Sequence, residues 1–124
     1  MSKEILFKKF VEILKDAGKY PDSNDYTFLT AYQLAVILRN EPDFGKIQKE
    51  TNCPQNIGGE GEGEHSSLAQ YIARWFAGND GYCKDEVEQQ FFNTKAMIFT
   101  FTDENGNDKK KPSVDKISMF RYRG

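Results

Sequence analysis

The spacing of apolar residues changes once along this chain, from helical steps to strict alternation. Residues 6–17 and 68–76 carry apolar side chains at steps of three and four, whereas residues 97–102 alternate between two faces. With 124 residues, the chain is long enough for one core but too short for two. The pattern therefore predicts one α+β domain over residues 1–124, with three to four N-terminal helices followed by a small antiparallel sheet.

Local signals mark the ends of the first two helices. The first is predicted over Ser2–Ala17 and ends at Gly18, which suits the left-handed position after a helix. The second is predicted to begin at Thr30, because Thr30 and Gln33 have the spacing of a capping box. It is expected to end at Glu41, since the residue before a proline is pushed out of helical geometry.

Two further helices are predicted before the change of period. A short one is expected over residues 42–51, with Phe44 and Ile47 facing inward. The other is expected from Ser66 or Ser67 to about Gly78, and its wide apolar arc indicates burial on most sides. Only a narrow polar stripe then remains for solvent or a partner, formed by Ser67, Gln70 and Arg74.

The last third of the chain favours strands. Residues 95–102 combine alternation with β-branched and aromatic side chains, and Asn105-Gly106 is a strong signal for a β-hairpin. Pro112 in the returning segment predicts a sheet edge. Residues 115–123 supply another strand, and residues 87–92 are a further candidate.

The charge is small overall but unevenly distributed. A net charge of −2 argues against a protein that coats nucleic acid through bulk charge. The middle of the chain is acidic, whereas the C-terminal part is basic and can form a local phosphate-binding patch. The basic residues there are Lys109, Lys110, Lys111, Lys116, Arg121 and Arg123.

The cysteines and the apolar runs indicate an intracellular, cytoplasmic protein. Cys53 and Cys83 lack the paired spacing of a zinc ribbon or redox motif, so free thiols are expected, with a bridge between them as the alternative. No apolar run approaches the roughly 20 residues of a membrane-spanning helix, and the first residues lack the features of a secretory signal.

The Gly/Glu-rich residues 58–64 are predicted to form a loop, and two interpretations of its acids stay open. Glu60, Glu62, Glu64 and His65 offer ligands for a divalent cation. Alternatively, acids gather there because a helix N-terminus favours negative charge. The spacing of the glycines does not match a phosphate-binding loop. We predict no metal, no cofactor and no enzymatic activity, with a metal-dependent enzyme using His65 as the least favoured hypothesis.

Helices followed by a β-hairpin resemble the winged-helix family, in which the third helix enters the major groove and the hairpin contacts the backbone. The resemblance spans most of the chain and concerns the order of the elements. It implies a non-enzymatic nucleic-acid-binding module, regulatory or from a mobile element. The expected contacts are Ser67, Gln70, Arg74, Lys109, Lys110, Lys111, Arg121 and Arg123.

The alternative is a small protein-interaction or inhibitor domain. In this hypothesis the loop presents its acids to a protein partner, through Glu60, Glu62, Glu64 and His65. Both hypotheses suit a bacterial or phage accessory protein.

Overall fold

Apart from the two-residue strand at Leu29–Thr30, the elements follow the predicted order, with helices before strands. The computed structural model describes residues 2–58, 67–78, 86–103, 105–110 and 116–123, with side chains from residue 5 onward. The helices are α1 (Ser2–Asp16), α2 (Ala31–Arg39), α3 (Phe44–Thr51) and α4 (Leu68–Gly78). The strands are β1 (Leu29–Thr30), β2 (Val87–Asn93), β3 (Thr100–Thr102), β4 (Asp108–Lys110) and β5 (Lys116–Tyr122). The predicted α+β class, with four helices and a small antiparallel sheet, is confirmed.

The predicted limits of the first two helices are confirmed to within two residues. Gly18 follows α1 with φ +82°, in the left-handed region that glycine adopts readily. At the start of α2, Thr30 Oγ1 accepts a hydrogen bond from Gln33 N at 3.2 Å, and Gln33 Oε1 accepts one from Thr30 N at 2.8 Å. This reciprocal pair is the capping box that the sequence predicts.

The core lies among α1, α2 and α4, with α3 packed against α1. The Phe10 ring of α1 contacts two rings of α4, Trp75 at 5.2 Å and Phe76 at 5.1 Å between centroids. Phe44 and Ile47 of α3 are buried as predicted, although that helix begins at Phe44 rather than at residue 42. Aromatic packing of this kind adds to the stabilisation from apolar burial.

β5 is the central strand of a three-stranded antiparallel sheet in the order β1-β5-β2. Its pairing with β2 runs from Val87↔Tyr122 to Asn93↔Lys116. We call the β2–β5 pair the ribbon, its Val87/Tyr122 end the root, and its Asn93/Lys116 end the tip. The strand over residues 87–92 and the strand over residues 115–123 are confirmed, whereas the two-residue β1 was not predicted.

Alternation along β5 determines which side chains face the helices. Phe120 is fully buried and stacks on Phe76 of α4 at 4.3 Å. Because side chains two residues apart share one face of a strand, Lys116 and Ser118 lie on the helix-facing side with Phe120. Arg121 lies on the opposite side.

A second hairpin, β3–β4, interrupts the chain between the two strands of the ribbon. β3 and β4 pair antiparallel, and the predicted Asn105-Gly106 turn is confirmed, with Gly106 at φ +80°. The ring of Phe101 in β3 stacks on Tyr32 of α2 at 4.6 Å. The hairpin is therefore docked onto the helices.

The strand predicted over residues 95–102 is wrong in its first five residues. A turn follows β2 instead: Asn93 Oδ1 accepts from Lys95 N at 2.8 Å, and Met97 N donates to Thr94 O at 3.1 Å. Ala96 adopts φ +59° within this turn. Local hydrogen bonds thus override the alternating pattern, and the strand begins only at Thr100. Pro112 lies outside the described residues.

Two other expectations concern the thiols and the membrane. Cys53 is a free and buried thiol, as expected, and Cys83 lies outside the described residues. In the part of the chain that the structure describes, no helix is both long and apolar enough to cross a bilayer.

Candidate nucleic-acid interface

Ser67 stands at the start of α4 and is buried, not exposed. Its Oγ accepts a hydrogen bond from Gln70 N at 3.2 Å, as an N-cap residue does. Its side chain is 3% exposed and lies against Gly58, where an added Cβ would come within 2.8 Å of the Ser67 side chain. The expectation that Ser67 belongs to a solvent-facing stripe is therefore wrong, because capping and close packing occupy this side chain.

The rest of the predicted polar stripe of α4 is accessible. Gln70 is half-buried and Arg74, one turn later, is exposed. Leu68, Ile72 and Phe76 are buried on the other side of the helix. The predicted division of α4 into an apolar arc and a thin polar stripe is confirmed for Gln70 and Arg74.

One cleft brings Gln70 of this stripe next to the ribbon, whereas Arg74 lies outside its lining. It encloses about 240 Å³ between the start of α2, the first half of α4 and the start of β5. We call it the α4–β5 cleft. The residues that line it include Tyr32, Ser67, Gln70, Ala73, Lys116 and Ser118.

Lys116 is the basic residue that the structure places in this cleft. It is exposed, and its Nζ lies 5.4 Å from the centre of the Phe91 ring on the neighbouring strand. Lys116 was noted as part of the basic C-terminal segment but was not among the predicted contacts. The alternation of side chains along a strand could have predicted this position, because it puts Lys116 on the same face as the apolar residue Phe120.

The lysines of β4 do not form one patch. Adjacent residues of a strand point to opposite faces, so Lys109 and Lys110 diverge. Lys109 is opposite Phe101 in the register and is half-buried, near Asn56 and Gly58. Lys110 is exposed, and Lys111 lies outside the described residues.

The two predicted arginines lie at the root, away from the α4–β5 cleft. Arg121 forms an ion pair with Glu88, with Nη2 and Nε at 2.9 and 3.0 Å from Oε1, and its guanidinium lies 4.7 Å from the centre of the Phe28 ring. Arg123 is exposed. Five residue steps of about 3.3 Å along the strand separate Arg121 from Lys116 by roughly 17 Å. The predicted basic set is therefore divided between β4, which carries Lys109 and Lys110, and the root, which carries Arg121 and Arg123.

Glu88 is held in its charged form. Its pKa is lowered, because the Gln90 amide donates to the carboxylate at 2.9 Å and because Arg121 adds a hydrogen bond and a positive charge. The Arg121 charge is thus compensated within the sheet.

The predicted acidic loop cannot be placed. Glu60, Glu62, Glu64 and His65 lie outside the described residues. Among the residues that are described, no three acidic, histidine or cysteine side chains cluster as ligands for a metal ion. The cation hypothesis stays a hypothesis.

Comparisons with protein-family models, with curated proteins and with solved structures gave no match to this chain. The α4–β5 cleft combines an amide, hydroxyls and one ammonium group, and none of its described lining residues is acidic. Such a surface can donate hydrogen bonds to base edges and neutralise a phosphate.

Proposed function

We propose that this protein is a non-enzymatic nucleic-acid-binding module of winged-helix type, which binds through the α4–β5 cleft. The order of the elements supports this proposal, since the last and most apolar helix directly precedes a β-ribbon. The observation that carries it is the shared cleft: Gln70 of α4 and Lys116 of β5 line the same space. Base-reading and phosphate-binding groups are therefore adjacent.

The chemistry divides between the helix and the strand. A glutamine amide can form two hydrogen bonds with adenine, and an arginine can do so with guanine. Gln70 and Arg74 lie one turn apart and are candidates for base contacts. Lys116 is a candidate for a phosphate contact, because an exposed ammonium group releases counterions from the backbone when it binds.

The proposed contact set is smaller than the one predicted from sequence. It contains Gln70, Arg74 and Lys116, with Lys110 as a peripheral phosphate contact. Ser67 is left out because it is buried, and Arg121 because its charge is compensated by Glu88. None of the described residues that line the cleft carries a carboxylate that would repel a phosphate bound there.

The direct test is fluorescence anisotropy with labelled duplex and single-stranded DNA at two salt concentrations. With two to four phosphate contacts, we expect binding to weaken roughly 10- to 100-fold between about 50 mM and 200 mM salt. No binding of either DNA at the lower salt concentration would overturn the proposal.

Two variants locate the interface. Lys116→Gln should weaken binding to all sequences and reduce the salt slope by about 1. Lys46→Gln is the matched control, because Lys46 is equally exposed but lies on α3. Gln70→Ala should reduce discrimination between base sequences by about 1 to 3 kcal/mol. Equal effects of Lys116→Gln and Lys46→Gln would exclude the α4–β5 cleft as the binding site.

A second candidate is the protein-interaction or inhibitor domain. It is favoured by Met97 and Ile98, which are 55% and 80% exposed beside an apolar cleft of about 420 Å³ lined by Ile37 and Phe99. Exposed apolar residues that adjoin one another are typical of protein contacts. For an identified partner, loss of binding in Ile98→Ser but not in Tyr20→Ser would support this candidate, since Tyr20 is exposed elsewhere.

A further inference from the structure

β2 is an edge strand without the usual protection against pairing. It is bonded to β5 along its whole length, and no described strand pairs with its other side. Natural edge strands are commonly protected by lysine, proline or a bulge. The sequence of β2, VEQQFFN, contains no lysine and no proline. Its one charge, Glu88, is compensated by Arg121 within the same sheet.

Two neighbouring aromatic side chains of β2 are exposed on opposite faces of the sheet. Phe91 is 59% exposed and Phe92 is 41% exposed. Because they are consecutive in a strand, they point to opposite sides. A partner that packs on one face would leave the other ring in water. A strand added at the edge brings side chains to both faces at once, so the geometry favours an extended partner.

We propose that this partner is a second copy of β2, paired antiparallel, so that two chains form one six-stranded sheet in the order β1-β5-β2-β2-β5-β1. The charges favour an identical strand. The exposed residues of β2, from Gln90 to Asn93, carry no charge, so an identical strand meets no repulsion from them. The nearby charge of Lys116, 5.4 Å from the Phe91 ring, belongs to β5 and not to the pairing edge. A two-fold axis at Phe91 places each Phe91 beside its own copy, and each Gln90 opposite the other Phe92. Aromatic cross-strand pairs of this kind stabilise a sheet.

The association is weak, because one strand edge buries little area. Interfaces below about 1,200 Å² are typical of transient complexes, so we expect a dissociation constant between about 10 µM and 1 mM. The two-fold axis stands perpendicular to the sheet and therefore leaves both α4 helices on the same side of it. This inference does not depend on the proposed function and is tested without nucleic acid.

The test is sedimentation velocity of the full chain over a concentration series from about 5 µM to 1 mM, which spans the expected dissociation constants. The native chain should shift from monomer towards dimer across this range. Phe91→Glu should remain monomeric, because two carboxylates would meet at the axis and the Phe91–Phe91 contact would be lost. Gln90→Lys serves as a second variant with the same expectation. Ile98→Glu is the matched control: it removes a more exposed apolar residue outside the strand and should associate like the native chain.

Hydrogen exchange identifies the strand involved. Amides of β2 should become more protected as the protein concentration rises, whereas amides of β4 should not change. Circular dichroism confirms that each variant is folded before its mass is interpreted. The proposal is overturned if the native chain stays monomeric to the highest concentration, or if Ile98→Glu abolishes association while Phe91→Glu and Gln90→Lys retain it.

Discussion

The root and the tip of the ribbon belong to the same two strands but have opposite surroundings. At the root, Val87 and Phe120 are buried, and the Tyr122 ring lies between Lys15, at 4.8 Å, and Tyr26, at 5.0 Å. At the tip, the side chains of β2 are exposed on both faces. The same hydrogen-bonded ladder thus connects a buried end with an open one.

This difference separates the part of the ribbon that packs on the helices from the part whose β2 side chains are open to solvent. Apolar burial at the root fixes the ribbon on the helices and contributes most of its free energy. At the tip, the exposed side chains of β2 are held in place by the ladder, although Ile117 of β5 is buried opposite Phe92. These exposed side chains can contact a partner without being needed for folding, and they should tolerate substitution far better than residues at the root.

The largest expected effect compares two phenylalanines of one sheet. Phe120→Ala should lower the free energy of unfolding by about 3 to 5 kcal/mol, because it removes a fully buried ring stacked on Phe76. Phe92→Ala should lower it by less than about 1 kcal/mol, because that ring is partly in water already. Urea denaturation of both variants measures the difference. If both variants lose the same free energy of unfolding, the root is not packed more tightly than the tip.

A smaller effect is expected in the β3–β4 turn, which extends from the tip. Asp103 is buried, and its Oδ1 accepts from Asn105 N and Asn107 N, both at 2.9 Å. Asp103→Ala should cost about 1 to 3 kcal/mol of stability, since both bonds go to a charged acceptor. Asp103→Asn keeps one acceptor oxygen and should cost less. If the two variants are equally destabilised in urea, the hydrogen bonds do not hold this turn.

Replacing either of two glycines with alanine should change the free energy of unfolding, but in opposite directions. Gly106 has positive φ, so Gly106→Ala should lower the free energy of unfolding by about 1 to 2 kcal/mol, even though the space for a methyl group is open. Gly45 lies in α3 with equal space and ordinary helical φ, so Gly45→Ala should raise it by about 0.5 to 1 kcal/mol. Thermal melts of the pair measure both changes. A stabilised Gly106→Ala variant would contradict the assigned turn conformation.

The smallest effect is a pH dependence at the root. The pKa of Glu88 is lowered from its ordinary value of 4.5, first by the Gln90 hydrogen bond and then by Arg121. A lowered pKa in the folded state stabilises the fold above pH 4.5, and this contribution is lost as the pH falls from there through the lowered pKa. Glu88→Gln should therefore show a shallower loss of stability in acid than the native chain. Arg121→Gln should likewise make the free energy of unfolding fall less steeply in acid. If neither variant changes that slope, the Glu88–Arg121 pair is excluded as a source of the pH dependence.

The features that sequence predicts correctly depend on residues close together in the chain. The capping box needs only Thr30 and Gln33, and the hairpin needs only Asn105 and Gly106. Each of these signals carries its own local hydrogen-bond geometry. For that reason they can be identified without knowing the fold.

The features that sequence misses depend on contacts between distant segments. β1 has two residues and exists because it pairs with β5, about ninety residues later. The position of Lys116 in the same cleft as Gln70 depends on how β5 packs on the helices. Ser67 looked accessible from helical periodicity alone, but its contact with Gly58 buries it. None of these relations leaves a periodic signal, so a single sequence could not reveal them.

Gly58 and Ser67, which flank residues 59–66 in the chain, are both buried and lie in contact. Leu68 N donates to Asn56 O at 2.7 Å, and Ala69 N donates to Ile57 O at 3.1 Å, so the two ends of the intervening stretch are clamped together. The start of α4 is therefore anchored directly to residues 56 and 57. A reporter domain spliced in between these two ends would have to join two points that lie side by side, which suits a domain whose own termini are close together.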